Sequence, residues 1–247
     1  MKRFGLIGKT LKHSFSRAYF ADKFKKEGIS DSRYDLFELS DISEFPALID
    51  AHKTEFKGLN VTIPYKKEVM QFMDALDPIA ERIGAVNVVK VLSNGKLKGY
   101  NSDYYGFRLS LESWLSNHNL KALILGTGGA SNSVRTTLED LNIPFKYVSR
   151  NVLADGFTYA QIKANPAIIT EHQLIINTTP LGTYPDIDQK ADLPYEQLTN
   201  EHFLYDLVYN PELTAFLAAG KQVGAKIKNG SDMLVLQAEK SWEIWGE

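Results

Sequence analysis

Short apolar runs alternate along the chain with segments whose apolar residues recur at helical spacing. Phe4–Ile7 reads as a buried strand, and Arg17–Lys26 then carries Tyr19, Phe20 and Phe24 at helical intervals. Tyr34–Leu39 predicts a second strand, Ile42–His52 a second helix, and Leu59–Ile63 a third strand stopped by Pro64. Val86–Leu92 and Leu97–Tyr100 flank Ser93-Asn94-Gly95-Lys96, and Asn-Gly between apolar runs is a hairpin signal. The first part of the chain is therefore expected to be an α/β unit with at least one antiparallel pair.

From Asp103 to about Asn119 a helix pattern (Phe107, Leu111, Trp114, Leu115) leads into a different rhythm. Lys121–Leu125 predicts a strand, Gly126-Thr127-Gly128-Gly129 a tight turn, Ser131–Leu141 a helix and Phe145–Val148 the next strand. Gln173–Ile176, Phe203–Val208 and a short Lys226–Lys228 complete the strands. Asn210-Pro211 reads as a helix start, Asn as cap and Pro in the first turn, for a helix to about Val223. Strands alternating with helices predict a doubly wound parallel sheet. In Ser231–Trp245, Met233, Leu234, Leu236, Trp242, Ile244 and Trp245 crowd too much of the circumference for a surface helix. This segment is expected to pack between two bodies and return to the first.

A length of 247 residues accommodates one large domain or two small ones. With 44% hydrophobic and 23% charged residues the chain has the composition of a globular protein, not a disordered one. Lys+Arg 28 against Asp+Glu 30 gives a net charge of −2, which argues against a phosphate-coating nucleic-acid binder. The absence of cysteine removes disulfides, iron–sulfur clusters, thiolate zinc and cysteine nucleophiles, and suits a reducing cytoplasm. The apolar run Phe4–Ile7 is shorter than a signal-peptide core of about 7–15 residues. No window approaches the roughly 18 apolar residues of a membrane span. A soluble, cytoplasmic protein without membrane or nucleic-acid partners is expected.

The glycine cluster carries the clearest mechanism. A tight turn between strand and helix aims backbone N–H groups at a pyrophosphate, and only glycine lets the backbone approach so closely. Gly126-Thr127-Gly128-Gly129-Ala130-Ser131 sits in that context, with Ser131 in the third glycine's place. The alternative is a tight turn in any α/β domain. Farther on, an acidic residue would select NAD through the ribose 2′-OH and an arginine NADP through the 2′-phosphate. Ser149-Arg150-Asn151 follows the next strand, with no carboxylate at its end, and favours NADP. Arg150 otherwise reads as a surface arginine.

In the first part, Asn60 and Thr62 point to one face of their strand and Lys66 projects beyond Pro64. Two neutral hydrogen-bonding groups beside a cation suit a polyhydroxylated, charged small molecule. The bland alternative is a strand edge with a solvated lysine. Asp103, in Asn101-Ser102-Asp103, is a candidate partner for Lys66 and equally a helix cap. His13-Ser14-Phe15-Ser16 offers two hydroxyls for a carboxylate, or a cap by Ser16. Gly8-Lys9-Thr10 is not a P-loop, because Arg3 stands where that pattern needs a glycine. His13, His52, His118, His172 and His202 show no metal-ligand spacing, so no metal site is expected, and no G-x-S-x-G elbow is present.

Together these segments resemble the shikimate dehydrogenase family, in that family's order and across nearly the whole chain. They are His13–Ser16, Gly58–Lys66, Gly84-Ala85-Val86-Asn87, Asn101–Gly106, Gly126–Ser131, Asn177-Thr178-Thr179-Pro180-Leu181-Gly182, Asp206–Pro211, and Gly230–Leu234 with Gln237. The resemblance implies an α/β, two-domain fold, with an N-terminal α/β substrate domain (1–103 and 231–247) and a Rossmann-like doubly wound parallel-sheet dinucleotide domain (104–230). It implies NADPH-dependent, reversible reduction of 3-dehydroshikimate to shikimate in aromatic amino-acid biosynthesis. By position Lys66 would be the acid/base residue and Asp103 its partner. Ser14 and Ser16 would hold the substrate carboxylate with Tyr209, while Asn60, Thr62, Asn87, Asp103 and Gln237 would bind hydroxyls. NADP would be held by Gly126, Gly128, Gly129, Ala130, Ser149, Arg150, Thr178 and Gly230, across a cleft that closes between the domains of a monomer or homodimer.

Three positions depart from the family pattern. Arg17 stands where proline is usual, Val88 where threonine is usual, and Ala154 where a second basic residue often falls in the NADP clasp. The missing cation motivates an alternative, a quinate/shikimate dehydrogenase using NAD. A noncatalytic dinucleotide sensor is the other alternative, against which Lys66 and Asp103 together speak.

Overall fold

The computed structural model describes residues 1–11, 14–116 and 118–246. Its chain divides into two units, Met1–Tyr105 with Gln237–Glu247, and Gly106–Leu236. The second division falls inside the last helix, six residues beyond the expected Ser231 boundary (237 against 231).

The first unit runs β1 (Lys2–Gly8), α1 (Phe15–Lys26), β2 (Ser32–Glu38), α2 (Phe45–Ala51), β3 (Phe56–Val61), β4 (Ala75–Leu76), α3 (Pro78–Ile83), β5 (Val88–Val91) and β6 (Leu97–Tyr100). α4 (Ser102–Glu112) then leads out of it. The sheet order is β2-β1-β3-β5-β6-β4. β1 is parallel to both neighbours, whereas β5 is antiparallel to β3 and β6, as the Asn94-Gly95 turn predicts. Alternation splits the apolar side chains between two faces. Ile7, Leu59, Val61 and Val89 join one cluster, and Phe4, Leu6 and Val88 join another with Phe20, Ile244 and Trp245. Trp245 lies flat against Gly58, where a Cβ would come within 2.1 Å of the ring, and its indole N–H donates to the Val89 carbonyl.

Two local readings need correction. The cap of α1 is Ser14, whose Oγ accepts the Arg17 N–H at 3.4 Å, and Ser16 lies within the first turn. The apolar pattern did not announce α3, although its punctuation is all in the sequence. Asp77 caps the Ile79 N–H, Pro78 occupies the first turn, and Gly84 ends the helix at φ 71°.

The second unit runs β7 (Ala122–Leu125), α5 (Gly129–Asp140), β8 (Phe145–Ser149), β9 (Gly156–Thr158), α6 (Tyr159–Ala164), α7 (Ala167–Glu171), β10 (Leu174–Asn177), β11 (Phe203–Asp206), α8 (Ala215–Gln222), β12 (Lys226–Lys228) and the start of α9 (Ser231–Gly246). The order is β12-β11-β10-β7-β8-β9, with every pair parallel. β7 and β10 are buried on both faces, which is why they read as unbroken apolar runs. Leu123, Leu125, Ile175 and Leu204 face one core, and Ala122, Ile124, Leu174 and Ile176 the other. The helix expected from Asn210-Pro211 begins instead at Ala215. Thr214 caps it, because its hydroxyl donates to buried Asp206 at 2.6 Å while accepting the Leu217 N–H. Among the described residues no helix is long and apolar enough to cross a membrane.

Candidate active site

In the first unit the chain turns sharply after β3 and pins Lys66 by its backbone, since the Val86 N–H donates to the Lys66 carbonyl at 2.7 Å. Asp103 sits in the first turn of α4. Lys66 Nζ donates to Asp103 Oδ2 at 2.7 Å. The carboxylate is 7% exposed and the lysine side chain 23%, so the pair is largely out of water while the ammonium keeps an opening. A sheltered ion pair persists only when its remaining lone pairs are also satisfied. Asn87 does this, donating from Nδ2 to Asp103 Oδ1 at 2.9 Å.

Asn87 is itself fixed from behind. Its Oδ1 accepts the Ser102 N–H at 2.6 Å, which decides which way the amide faces, and its Nδ2 also reaches Ser102 Oγ at 3.1 Å. Asn60 is held similarly. Its Oδ1 accepts from the Tyr34 hydroxyl at 2.8 Å, and its Nδ2 donates to Ser241 Oγ at 2.9 Å and the Asn87 carbonyl at 3.3 Å. Ser241 gives its single proton to the Gln237 carbonyl at 2.8 Å, so Ser102, 3.2 Å away, donates to Ser241. Burial pushes the Tyr34 phenol up in pKa, and a hydrogen bond with Ser16 works the other way. One continuous polar chain thus links Tyr34, Asn60, Ser241, Ser102, Asn87, Asp103 and Lys66.

The remaining residues expected around a substrate have varied surroundings. Ser14 is occupied as a cap, and Thr62 donates its backbone N–H to Ile7 at 2.9 Å with its methyl against Gly8. Gln237 is half-buried in the first unit, whereas Tyr209 belongs to the second and is 40% exposed. His13 lies outside the described residues. Tyr34 and Ser241 escaped the sequence reading. Ser241 stands four places after Gln237 on a helix, a same-face spacing that could have singled it out.

In the second unit the residues expected around a nucleotide gather at the carboxyl edge of the parallel sheet. Gly126 leaves β7 at φ 97°, held by its N–H to the Val148 carbonyl at 2.9 Å. A Cβ there would meet Thr179 Cγ2 at 2.8 Å. α5 starts directly at Gly129, with Gly128 as its cap and so no side-chain capping bond from that position. A Cβ on Gly128 or Gly129 would meet nothing within 4 Å, so these backbones are open to a ligand. Ser131, by contrast, is buried and bonds back to the Gly128 carbonyl at 2.6 Å, which explains why serine serves at the third position. Ala130 follows in the same open turn.

Thr178 directs its hydroxyl to the Leu125 carbonyl at 2.7 Å, tying the loop after β10 to the end of β7. Ser149 accepts the Asn151 N–H, shaping the turn that presents exposed Arg150. Gly230 passes so close to Leu207 that a Cβ would lie 2.2 Å from its carbonyl oxygen, a packing requirement in its own right. Asp206, fully buried, accepts from Asn177, Val208 N–H and Thr214. Burial pushes its pKa up to about 6 despite those hydrogen bonds. Among the described residues no group of three or more His, Asp or Glu side chains is placed to hold a metal.

The strand order reverses between β10 and β7, and the uncapped glycine turn lies at that switch point, where open α/β sheets bind nucleotides. The second unit is therefore a dinucleotide-binding domain of the doubly wound class, joined in one chain to a unit carrying a lysine–aspartate pair. Residues 6–89 match the shikimate dehydrogenase substrate binding domain. The chain is 40% identical to the shikimate dehydrogenase (NADP(+)) of Clostridium beijerinckii, covering 100% of this chain and 93% of that protein. It superposes with a TM-score of 0.86 on the Thermus thermophilus shikimate 5-dehydrogenase in complex with NADP(H) and shikimate (29% identical, covering 99% and 93%). With a TM-score of 0.88 it also superposes on the Corynebacterium glutamicum quinate dehydrogenase in complex with NAD (25% identical, covering 99% and 93%). The chain belongs to the shikimate dehydrogenase family.

Proposed function

We propose that this chain catalyses the reversible, NADPH-dependent reduction of 3-dehydroshikimate to shikimate, with Lys66 as the acid/base group. The observation that carries the assignment of roles is the Lys66–Asp103 bond at 2.7 Å, braced by Asn87. The open Gly128 and Gly129 backbones, the uncapped start of α5 and the cation at Arg150 fit a dinucleotide phosphate. NADPH, when bound, supplies the hydride. Reduction turns the ketone oxygen into an alkoxide that must gain a proton as it forms, and the Lys66 ammonium gives that proton to the oxygen. Asp103 keeps the ammonium oriented, and in the oxidative direction Lys66 takes the proton back. Such general acid–base help is worth about 10²–10⁴ in rate.

Asn60, Thr62, Asn87 and Gln237 are assigned to the substrate hydroxyls, and Ser14, Ser16 and Tyr209 to its carboxylate. The protein works in the cytoplasm as a monomer or homodimer, without membrane or nucleic-acid partners. The test is absorbance at the reduced-nicotinamide band with shikimate and NADP+ in one cuvette, and absence of turnover leaves only a nucleotide-binding sensor. A second reading, quinate or shikimate oxidation with NAD, is favoured by Ala154 and by the similarity to the quinate dehydrogenase. Initial rates for both substrates with both nucleotides separate the two.

A further inference from the structure

A phosphate monoester carries nearly two negative charges at neutral pH, and a single arginine balances half of them. Two cavities flank the end of β8. One, of about 350 Å3, is lined by Thr127, Ser131 and Asn132 of the glycine turn and by Tyr147, Leu153, Ala154 and Asp155, with no cation among these residues. The other, of about 530 Å3, is lined by Arg150, Thr158, Tyr159, Leu181, Lys190 and Asp192. It lies where β8, β9 and β10 all end, beside the switch point. Arg150 is close enough to Tyr159 to oppose the upward push of burial on that phenol.

Lys190 does not belong to the strand end that supplies Arg150. It arrives on the long connection between β10 and β11, anchored next door by buried Ala191 and Leu193. Its ammonium stands 4.4 Å from the centroid of the Tyr195 ring, and the Tyr195 hydroxyl is tied to the Ala191 carbonyl at 2.8 Å. The cation is thus placed by an aromatic face instead of being consumed by a carboxylate. The cavity's carboxylate, Asp192, is engaged by Lys163 at 2.7 Å. Two cations accordingly line one cavity with its acid already paired.

We infer that Lys190 is the second cation of the 2′-phosphate site, closing with Arg150 on the adenosine end of NADP(H) and taking the part that Ala154 cannot. The inference rests on the NADP reading above and adds a specificity-determining residue to it. A lysine holding one charge-assisted contact to the phosphate sets an affinity difference of about tenfold or more.

The experiment is fluorescence titration of the whole protein with NADPH and with NADH, for wild type, Lys190→Ala, Lys190→Arg and Arg150→Ala. Lys190→Ala is expected to weaken NADPH about tenfold and NADH less than twofold, with Lys190→Arg close to wild type and Arg150→Ala discriminating similarly. A wild type that prefers NADPH by a margin unchanged in Lys190→Ala overturns this inference alone. A wild type that binds both nucleotides equally overturns the NADP reading and the inference with it.

Discussion

The two units handle their polar groups in opposite ways. In the first, the functional side chains are partnered inward, and Asn60, Asn87 and Asp103 form a closed circuit that leaves the Lys66 ammonium at its open end. In the second, the donors expected to meet the nucleotide are backbone groups left open by glycine, and Arg150 and Lys190 line one open cavity. The difference fits the tasks proposed for the two units. Proton transfer needs one group held in one orientation within a sheltered, low-dielectric site. Holding a long polyanion needs many weak donors along a rim, and glycine supplies them without side-chain bulk. A change in the first unit should therefore register in turnover or substrate affinity, and a change in the second, Tyr209 apart, in nucleotide affinity or in that unit's stability.

Removing the Lys66 ammonium tests this most severely. Lys66→Ala is expected to cut kcat at least ~10²-fold in both directions while nucleotide Kd stays within about twofold. Asp103 then loses the cation on Oδ2 but keeps Asn87 on Oδ1. Steady-state kinetics paired with nucleotide titration measure the contrast. Near wild-type turnover would remove Lys66 from the chemistry.

The second unit has one feature that resembles the first, the buried network around Asp206. Burial pushes its carboxyl from the ordinary 3.8 up to about 6. A raised folded pKa means the native state holds the proton more tightly. The associated stability is fully present below pH ~4 and lost as pH rises through about 6, at most about 3 kcal/mol. Asp206→Asn keeps acceptors for Asn177 and Val208 and removes the titration. Hydrogen exchange of β11 and α8 between pH 4 and 8 should show opening that rises with pH in wild type and is flatter in the variant. Equal slopes would mean that Asp206 is ionised at no cost.

Much of this was legible in the residues because local chemistry and tertiary structure agree. Unbroken apolar runs at Ala122–Leu125 and Leu174–Ile176 read as doubly buried strands, Asn94-Gly95 marked the antiparallel turn, and the glycine cluster marked the start of α5. Where reading failed, a distant partner decided. Asn210-Pro211 looks like a helix start, but Asp206 reaches across to Thr214 and sets the cap there. α6 and α7 are single or double turns, too short for apolar periodicity to register. Tyr34, Ser241 and Lys190 are ordinary residues in sequence, and their positions become informative only when non-neighbouring elements meet. Ala154 drew attention to a missing cation, yet nothing in a linear reading places Lys190 beside Arg150.

The smallest expected effect is the most discriminating. Ser241 touches neither Lys66 nor Asp103 in the first unit's circuit, yet its hydroxyl is shared by Asn60, Ser102 and the Gln237 carbonyl. Ser241→Ala leaves Asn60 Nδ2 with only its longer bond to the Asn87 carbonyl and leaves the Ser102 hydroxyl with only its longer, 3.4 Å bond to Asn87 Oδ1. Unmaking such bonds costs about 1–3 kcal/mol of stability. A purely structural role would end there. If the circuit aims the Asn60 and Asn87 amides, KM for shikimate should also rise roughly three- to tenfold at 25 °C, from about 1 kcal/mol of lost orientation. Nucleotide Kd should not move. Ser102→Ala is expected to raise KM comparably, and the double variant to show less than the product of the two, because both act through one chain of bonds. Multiplicative effects, or an equal loss of NADPH affinity, would show that Ser241 and Ser102 act separately or that the division of labour between the units is false.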